Sequence, residues 1–149
     1  DKVMGFIEEG QRDKNKLVIG GKRTNLQSGG FFLEPTIFDD VKPENSLFSE
    51  EIFGPVLGIT TFKSPEEAIS LANQNKYGLH ASVFTSSNKA AHTAARGIKA
   101  GTVSVNCYGE GDATTPFGGY KLSGFGGRDK SLFAHDQYCE LKTIWIDLK

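Results

Sequence analysis

One stretch near the end of the chain carries residue types that could do chemistry. Residues 106–128, NCYGEGDATTPFGGYKLSGFGGR, hold one thiol, two carboxylates and seven glycines. The thiol of Cys107 could act as a nucleophile, the glycines could cradle a phosphate, and Glu110 and Asp112 could bind a metal ion or a cationic group. Each of these chemistries predicts a different kind of protein.

The known motifs for phosphate and metal binding are not met in this stretch. The run Gly119–Gly124 is not followed by the Lys and hydroxyl residue of a P-loop, and the third glycine of the GxGxxG fingerprint is missing after Gly126. We therefore interpret the glycines as residues for tight turns with positive φ. Glu110 and Asp112 are too few ligands for calcium, and no cysteine or histidine spacing is typical of zinc, so we predict no metal site.

A catalytic role for Cys107 is also disfavoured by its neighbours. A reactive thiolate needs a nearby base or a positively charged environment. Here two acidic residues follow, and the histidines of the chain lie in other predicted elements. We therefore interpret Cys107 as a structural thiol at the end of a strand.

The elements that must position this stretch form a regular alternation. Ser64, Pro65 and Glu67 have the order of a capping box at the start of a helix, and Ser86 or Ser87 caps a second helix. Three β-rich runs surround these helices: Val56–Phe62, Ala81–Thr85 and residues 102–106. The order β-α-β-α-β predicts an α/β fold with a parallel sheet, and ligands gather at the carboxyl edge of such sheets.

The regions on either side of this core have patterns that indicate less regular secondary structure. The first residues read as an amphipathic helix, and KLVIGG reads as a short strand. Pro35 predicts an edge or irregular strand after it, and residues 42–55 are expected to be irregular. Residues 139–149 form a tail that is apolar on both faces of an extended chain. We expect this tail to join a sheet, in this subunit or in a neighbouring one.

The composition excludes several classes of protein. The chain has 149 residues with 17 basic and 18 acidic side chains, a formal charge of −1, so no broad field favours nucleic acid or an anionic membrane. No apolar run approaches the roughly 20 residues of a membrane span. Two cysteines without a disulfide framework are typical of a reduced, cytoplasmic protein.

Five blocks of the sequence resemble successive blocks of the NAD(P)-dependent aldehyde dehydrogenase superfamily. They are EEIFGPV, YGLHASVFT, AGTVSVNCY, PFGGYKLSG and ELKTIWI, in the family's order and spacing. The resemblance assigns residues 1–138 to the C-terminal portion of the catalytic domain and residues 139–149 to the oligomerisation strand. The family's blocks for the catalytic cysteine and the general-base glutamate do not occur in these 149 residues. We therefore expect a fragment without a catalytic residue of its own, inactive in isolation.

The resemblance implies oxidation of an aldehyde to a carboxylic acid. In the family a thiolate attacks the carbonyl, hydride passes to a nicotinamide, and activated water hydrolyses the thioester. By the same resemblance, Glu51 accepts hydrogen bonds from the ribose beside the nicotinamide and Phe53 packs against that nucleoside. The implied cofactor is NAD, with NADP also open. Without the family, Glu51 reads as a solvated acid and Phe53 as a core aromatic residue.

The substrate side of the resemblance rests on residues 106–128. The family places the mouth of the aldehyde tunnel between VNCY and PFGG, and Phe117 matches an aromatic residue near the reacting centre. Gly111 stands where members for simple apolar aldehydes carry a bulky ring, which implies a wider entrance. Glu110 and Asp112 imply a cationic or amino-bearing substrate, unless they are simply solvated charges.

This pattern is most similar to the branch that oxidises aminoaldehydes from polyamine breakdown, such as γ-glutamyl-γ-aminobutyraldehyde. Betaine-aldehyde and guanidinobutyraldehyde enzymes are near alternatives. The expected protein is a cytoplasmic homo-oligomer that binds a small-molecule aldehyde. Two other classes stay open at this point: a non-catalytic oligomerisation module built on the apolar tail, and a stand-alone nucleotide-binding domain.

Overall fold

The computed structural model describes residues 1–109 and 111–149, and the chain divides into two units, Asp1–Asn75 and Lys76–Lys149. The first unit contains three α-helices and a three-stranded sheet. Its elements are α1 (Lys2–Arg12), β1 (Lys16–Ile19), a 3-10 turn (Leu26–Ser28), β2 (Thr36–Asp39), α2 (Ser46–Ser49), β3 (Val56–Gly58) and α3 (Pro65–Gln74).

The sheet of the first unit has the strand order β1-β2-β3. Strand β2 pairs antiparallel with β1 and parallel with β3. Of the two alternatives predicted after Pro35, the edge position is therefore wrong, because β2 is the central strand, whereas the register of its ladder with β1 does shift between Leu17 and Ile19. Pro35 precedes the first residue of the ladder, so its missing N–H interrupts no hydrogen bond between the strands. The Thr36 N–H makes the bond at that end, to the Pro55 carbonyl at 2.8 Å.

The core of the first unit lies between the sheet and α1. Its buried apolar side chains are Ile7, Phe38, Val41, Leu47 and Ile52. Gly10 of α1 lies close to this core, because a Cβ there would be 2.5 Å from Leu47 Cδ1, and the Leu47 side chain would have to shift. Helix α1 thus forms as its apolar spacing predicts and presents one face to the sheet.

Two predictions for the first unit need correction. The strand expected at Val56–Phe62 covers Val56–Gly58 only, and it is not buried on both faces. Val56 packs against the core, whereas Leu57 and Ile59 are 55% and 39% exposed, because side chains alternate between the faces of a strand. The segment expected to be irregular contains the short helix α2.

Among its described residues, the second unit contains two short sheets and one α-helix. Its elements are β4 (Tyr77–Gly78), β5 (His80–Val83), α4 (Asn88–Gly97), β6 (Thr102–Val105), β7 (Tyr120–Lys121) and a 3-10 helix (Leu132–Gln137). Strands β5 and β6 pair in parallel around the α4 crossover, as predicted. Strands β4 and β7 pair antiparallel, which the sequence did not indicate.

The α/β class is therefore confirmed, but the strands do not form the single parallel sheet that was predicted. The three predicted strands do not share one ladder, because β3 pairs with β2 and β5 pairs with β6. Residues 139–149 have neither helix nor paired strand within this chain, and Leu141 and Trp145 are almost fully exposed. Within the described residues, no helix has the length and apolar character needed to cross a bilayer.

Candidate functional site

The predicted cofactor residues lie in the first unit, between α2 and β3. Ile52 is 9% exposed and belongs to the core, whereas Glu51 and Phe53 on either side of it are exposed. Phe53 has φ +57° and an 83% exposed ring. The buried Ile52 fixes the segment to the core, and its two neighbours remain available for a ligand.

The backbone around Phe53 is constrained. A left-handed φ costs a residue other than glycine about 1–2 kcal/mol, and such strain is concentrated at functional sites. The following Gly54 lies against α1, where a Cβ would be 2.7 Å from Val3 Cγ1. Phe53 also lines a cavity of about 270 Å³ together with Phe31 and Phe32. From the sequence alone, Phe53 could also be a core aromatic residue. The positive φ and the exposure of its ring were not predicted.

Two of the predicted substrate residues, Gly111 and Asp112, lie in the second unit, on the described part of the loop of residues 106–116 that follows β6, here called the β6 loop, and Phe117 comes directly after it. The loop starts at Asn106, which has φ +54°. The Asn106 side chain accepts from the Thr85 N–H at 2.8 Å and donates to the Thr85 carbonyl at 2.9 Å. These two bonds attach the start of the loop to the segment after β5. Cys107 is a free, exposed thiol at the end of β6, the position that was predicted for it.

Asp112 organises the middle of the β6 loop. Its Oδ1 accepts from the Thr114 N–H at 2.8 Å, from the Thr114 hydroxyl at 2.6 Å and from the Thr115 hydroxyl at 3.3 Å. These bonds hold the pKa of the Asp112 carboxyl below its ordinary value, and the bond from the Thr114 side chain has the largest effect. Asp112 therefore keeps its negative charge, but one of its oxygens is committed to the loop itself.

The other residues predicted at the tunnel mouth are Gly111, Phe117 and Glu110. Gly111 has φ +76°, a conformation that favours glycine. Phe117 is half-buried and forms a two-residue bridge with Asp129, with N···O distances of 2.8 and 2.6 Å. The Lys130 Nζ lies 5.4 Å from the centroid of the Phe117 ring, and this ring lines a cavity of about 190 Å³. Glu110 lies outside the described residues.

The arrangement therefore brings Gly111, Asp112 and Phe117 into one segment of the second unit, while Glu51 and Phe53 belong to the first. Sequence reasoning missed the role of Thr114 and Thr115, although the order Asp-x-Thr-Thr is typical of a turn capped by an Asp side chain. Within the described part of the chain, no group of three or more His, Cys, Asp or Glu residues could hold a metal ion.

Comparison with known proteins places this fold and these segments in one family. The profile described as the aldehyde dehydrogenase family matches residues 1–144. The chain belongs to this family, as the resemblance of its five blocks implied.

Among its relatives, an aminoacetaldehyde dehydrogenase of Pseudomonas aeruginosa is 54% identical over 147 residues, which are 99% of this chain and 29% of that protein. The NADP/NAD-dependent aldehyde dehydrogenase PuuC of Escherichia coli is 52% identical over 149 residues, 100% of this chain and 29% of PuuC. A crystal structure of indole-3-acetaldehyde dehydrogenase with NAD⁺ matches 99% of this chain and 30% of that one, with a TM-score of 0.92 and 51% identity. The chain thus spans less than a third of the length of these relatives.

Proposed function

We propose that this chain is the C-terminal portion of an NAD(P)-dependent aldehyde dehydrogenase that oxidises an aminoaldehyde from polyamine breakdown to a carboxylic acid. The observation that carries the proposal is the 54% identity with an aminoacetaldehyde dehydrogenase over nearly the whole chain. In this proposal residues 1–138 complete the catalytic domain and residues 139–149 form the oligomerisation strand. The nucleophile and the general base belong to other parts of the protein, so the isolated chain is inactive.

Glu51 and Phe53 fit the role of a clamp for the nicotinamide end of the cofactor. Both side chains are exposed on either side of a residue anchored in the core. A carboxylate can accept hydrogen bonds from two neighbouring ribose hydroxyls, and an aromatic ring offers an apolar surface to the nucleoside. When it is bound, the nicotinamide supplies a hydride acceptor. The NAD⁺ in the related crystal structure and the name of PuuC support NAD, with NADP as the alternative.

The clamp can be tested by replacing Glu51 with Gln in the complete enzyme. We expect weaker NAD binding, because a neutral amide forms weaker hydrogen bonds to hydroxyls than a carboxylate does. Glu50→Gln is the matched control, since it changes the adjacent acid. Equal NAD dissociation constants for the two variants would contradict the proposed clamp.

For the substrate, the β6 loop provides negative charge beside a glycine. Gly111 leaves the entrance open, and Phe117 is proposed as a wall near the reacting carbon. Asp112 can meet a cationic group through Oδ2, because the bonds within the loop end on Oδ1. Glu110 is proposed as the second acid on sequence grounds. Together these groups favour an ammonium-bearing aldehyde over a neutral one.

The substrate proposal is tested with Asp112→Asn and Glu110→Gln in the complete enzyme. The assay compares kcat/KM for an aminoaldehyde and for a neutral aldehyde of equal length. We expect a selective loss for the aminoaldehyde, while Glu66→Gln, an exposed acid on α3, changes neither substrate. If both aldehydes lose the same factor, the loop does not select by charge. If the unmodified enzyme oxidises no aldehyde, the proposed function itself fails, and a non-catalytic module becomes the better interpretation.

The tail is proposed to pair with a second copy of the protein. Its large apolar side chains are 70–104% exposed in the single chain, namely Leu141, Ile144, Trp145, Ile146 and Leu148. An exposed apolar segment of this kind, if it is extended, favours pairing with the edge of a sheet. Ile144→Asp is expected to lower the oligomeric state in sedimentation velocity, with Asp147→Asn as a control in the same segment. An unchanged sedimentation coefficient for Ile144→Asp would exclude this role.

A cytoplasmic location is proposed as well. It is supported by two exposed free thiols, Cys107 and Cys139, which persist best in a reducing compartment. Fractionation of cells that express the protein from its own gene tests this, and recovery outside the cytoplasm would contradict it.

A further inference from the structure

Two polar side chains below the β6 loop form a connected pair. His80 on β5 and Ser104 on β6 lie on the same face of the parallel strands, because Ser82 is the register partner of Ser104 and side chains alternate. The His80 Nε2 lies 3.0 Å from the Ser104 Oγ. Ser104 is only 9% exposed, so its hydroxyl must find its partners within the protein.

The direction of this pair follows from the number of protons. A serine hydroxyl has one proton to donate, and the Ser104 Oγ donates it to the Gly109 carbonyl at 3.0 Å. Ser104 can therefore only accept in its contact with His80. His80 must donate from Nε2–H, so the hydrogen bonds run from β5 through β6 to the β6 loop.

His80 also contacts the β6 loop directly. Its ring packs edge-on against the ring of Tyr108, with centroids 5.4 Å apart and an interplanar angle of 80°. Two consecutive residues, Tyr108 and Gly109, are thus held by one histidine, the first through ring packing and the second through Ser104. On the far side of Asp112, the Ser131 N–H donates to the Ala113 carbonyl at 2.8 Å. The loop is fixed from outside both before and after Asp112.

We propose that His80 and Ser104 are positioning residues for substrate selection. They hold Tyr108 and Gly109 so that the described residues which follow, Gly111 and Asp112, are presented at one place. This inference rests on the proposed function, because it assigns the purpose of the pair to the aldehyde entrance. Neither residue takes part in the chemistry. Their effect is on how well the entrance is formed before substrate arrives.

The variants are chosen to separate the two contacts of His80. Ser104→Ala removes the hydroxyl that links His80 to the Gly109 carbonyl. His80→Phe keeps a ring for Tyr108 but has no donor, and His80→Gln keeps an N–H donor without the ring. Ser82→Ala is the matched control, because it removes a serine hydroxyl from the strand position directly paired with Ser104.

The first measurement is steady-state kinetics of the complete enzyme with an aminoaldehyde. Loss of one neutral hydrogen bond predicts about a fivefold rise in KM for Ser104→Ala and for His80→Phe, with kcat and the NAD dissociation constant unchanged. The double variant is expected to be no worse than either single one, since the bonds act as one chain. The KM of His80→Gln should lie between those of the wild type and His80→Phe, because glutamine keeps an N–H donor. Ser82→Ala should match the wild type.

The second measurement is amide hydrogen exchange of peptides that cover the β6 loop, which needs no activity. We expect about fivefold faster exchange for Ser104→Ala and His80→Phe, but not for Ser82→Ala. Unchanged exchange together with an unchanged KM would overturn the inference. A wild type that oxidises no aldehyde while the variants still loosen the loop would refute the proposed function and the purpose assigned to the pair, but would leave their positioning effect in place. Loss of kcat in the variants with KM unchanged would also overturn the inference.

Discussion

Alanine at Gly101 is expected to force two backbone segments of the second unit apart. A Cβ built on Gly101 collides with the Gly118 carbonyl oxygen and lies 2.9 Å from the Gly118 carbonyl carbon. Gly101 is held in place, because its N–H donates to the Gly78 carbonyl at 3.0 Å. Gly118 is closely packed as well, since a Cβ there would lie 2.6 Å from the Gly127 carbonyl oxygen. The added methyl group therefore meets main-chain atoms, which no side-chain rotation can move.

The magnitude follows from this packing. Inserting a methyl group into a well-packed site costs about 1–3 kcal/mol, and the upper end applies here because backbone must shift. In a chain of about this size, 1 kcal/mol changes Tm by about 2–4 °C. We therefore expect Gly101→Ala to lower Tm by about 6–12 °C.

The assay is thermal unfolding followed by far-ultraviolet circular dichroism. Gly5→Ala is the control with the same chemical change, because a Cβ on Gly5 in α1 meets no atom within 4 Å. Alanine is about 0.5–1 kcal/mol more favourable than glycine inside a helix, so Gly5→Ala should keep or raise the Tm. A Gly101→Ala protein that unfolds at the wild-type temperature would show that the contact between Gly101 and Gly118 relaxes freely, and the reasoning would be wrong.

Three further perturbations test other parts of the structure. Phe38→Ala should lower the free energy of unfolding by about 3–5 kcal/mol in urea titration, because the side chain is fully buried, and a loss below 1 kcal/mol would contradict the assigned core. Ser64→Ala should cost about 1 kcal/mol by the same method, because its Oγ accepts from the Glu67 N–H at 3.2 Å, and Ser64→Asp should not. Below the ordinary carboxyl pKa of about 3.9, the bonds of Asp112 should be lost as the pH falls through its lowered pKa, and NMR of the Thr114 amide should follow this change. In Asp112→Asn that acid transition should be absent.

The features that the sequence predicted well depend on a few neighbouring residues. The cap of α3 is an example: the Ser64 Oγ accepts from the Glu67 N–H, and the Glu67 carboxylate accepts from the Lys63 N–H at 2.6 Å. Ser87 caps α4 through its hydroxyl alone, with the Oγ accepting from the Ala90 N–H at 3.3 Å. Such signals are readable because the interacting groups lie within four residues of each other. The parallel pairing of β5 with β6 followed from the helix between them.

The features that the sequence did not predict depend on partners far along the chain. Nothing near Pro35 indicates that the following strand lies between two others, since its neighbours start at Lys16 and Val56. The same holds for the pairing of Tyr77 with Lys121. The two hydrogen bonds that connect His80, Ser104 and the β6 loop were not predicted for a related reason. A half-buried histidine on a strand has the sequence pattern of an ordinary interior residue.

The seven glycines of residues 106–128 show why composition alone does not identify the role of a glycine-rich segment. Gly109, Gly111 and Gly126 have positive φ, as the turn interpretation predicted. Gly118, Gly119 and Gly124 are needed for a different reason, because a Cβ on any of them would lie within 3.0 Å of a main-chain carbonyl oxygen. The backbone of Gly118, for example, lies against Gly101 on one side and Gly127 on the other. A phosphate cradle and a close backbone contact both require glycine, because both exclude a Cβ, so the glycine count cannot separate them. The neighbours that occupy the space decide between the two, and at Gly118 the nearest of them is the main-chain carbonyl oxygen of Gly127 in the same unit.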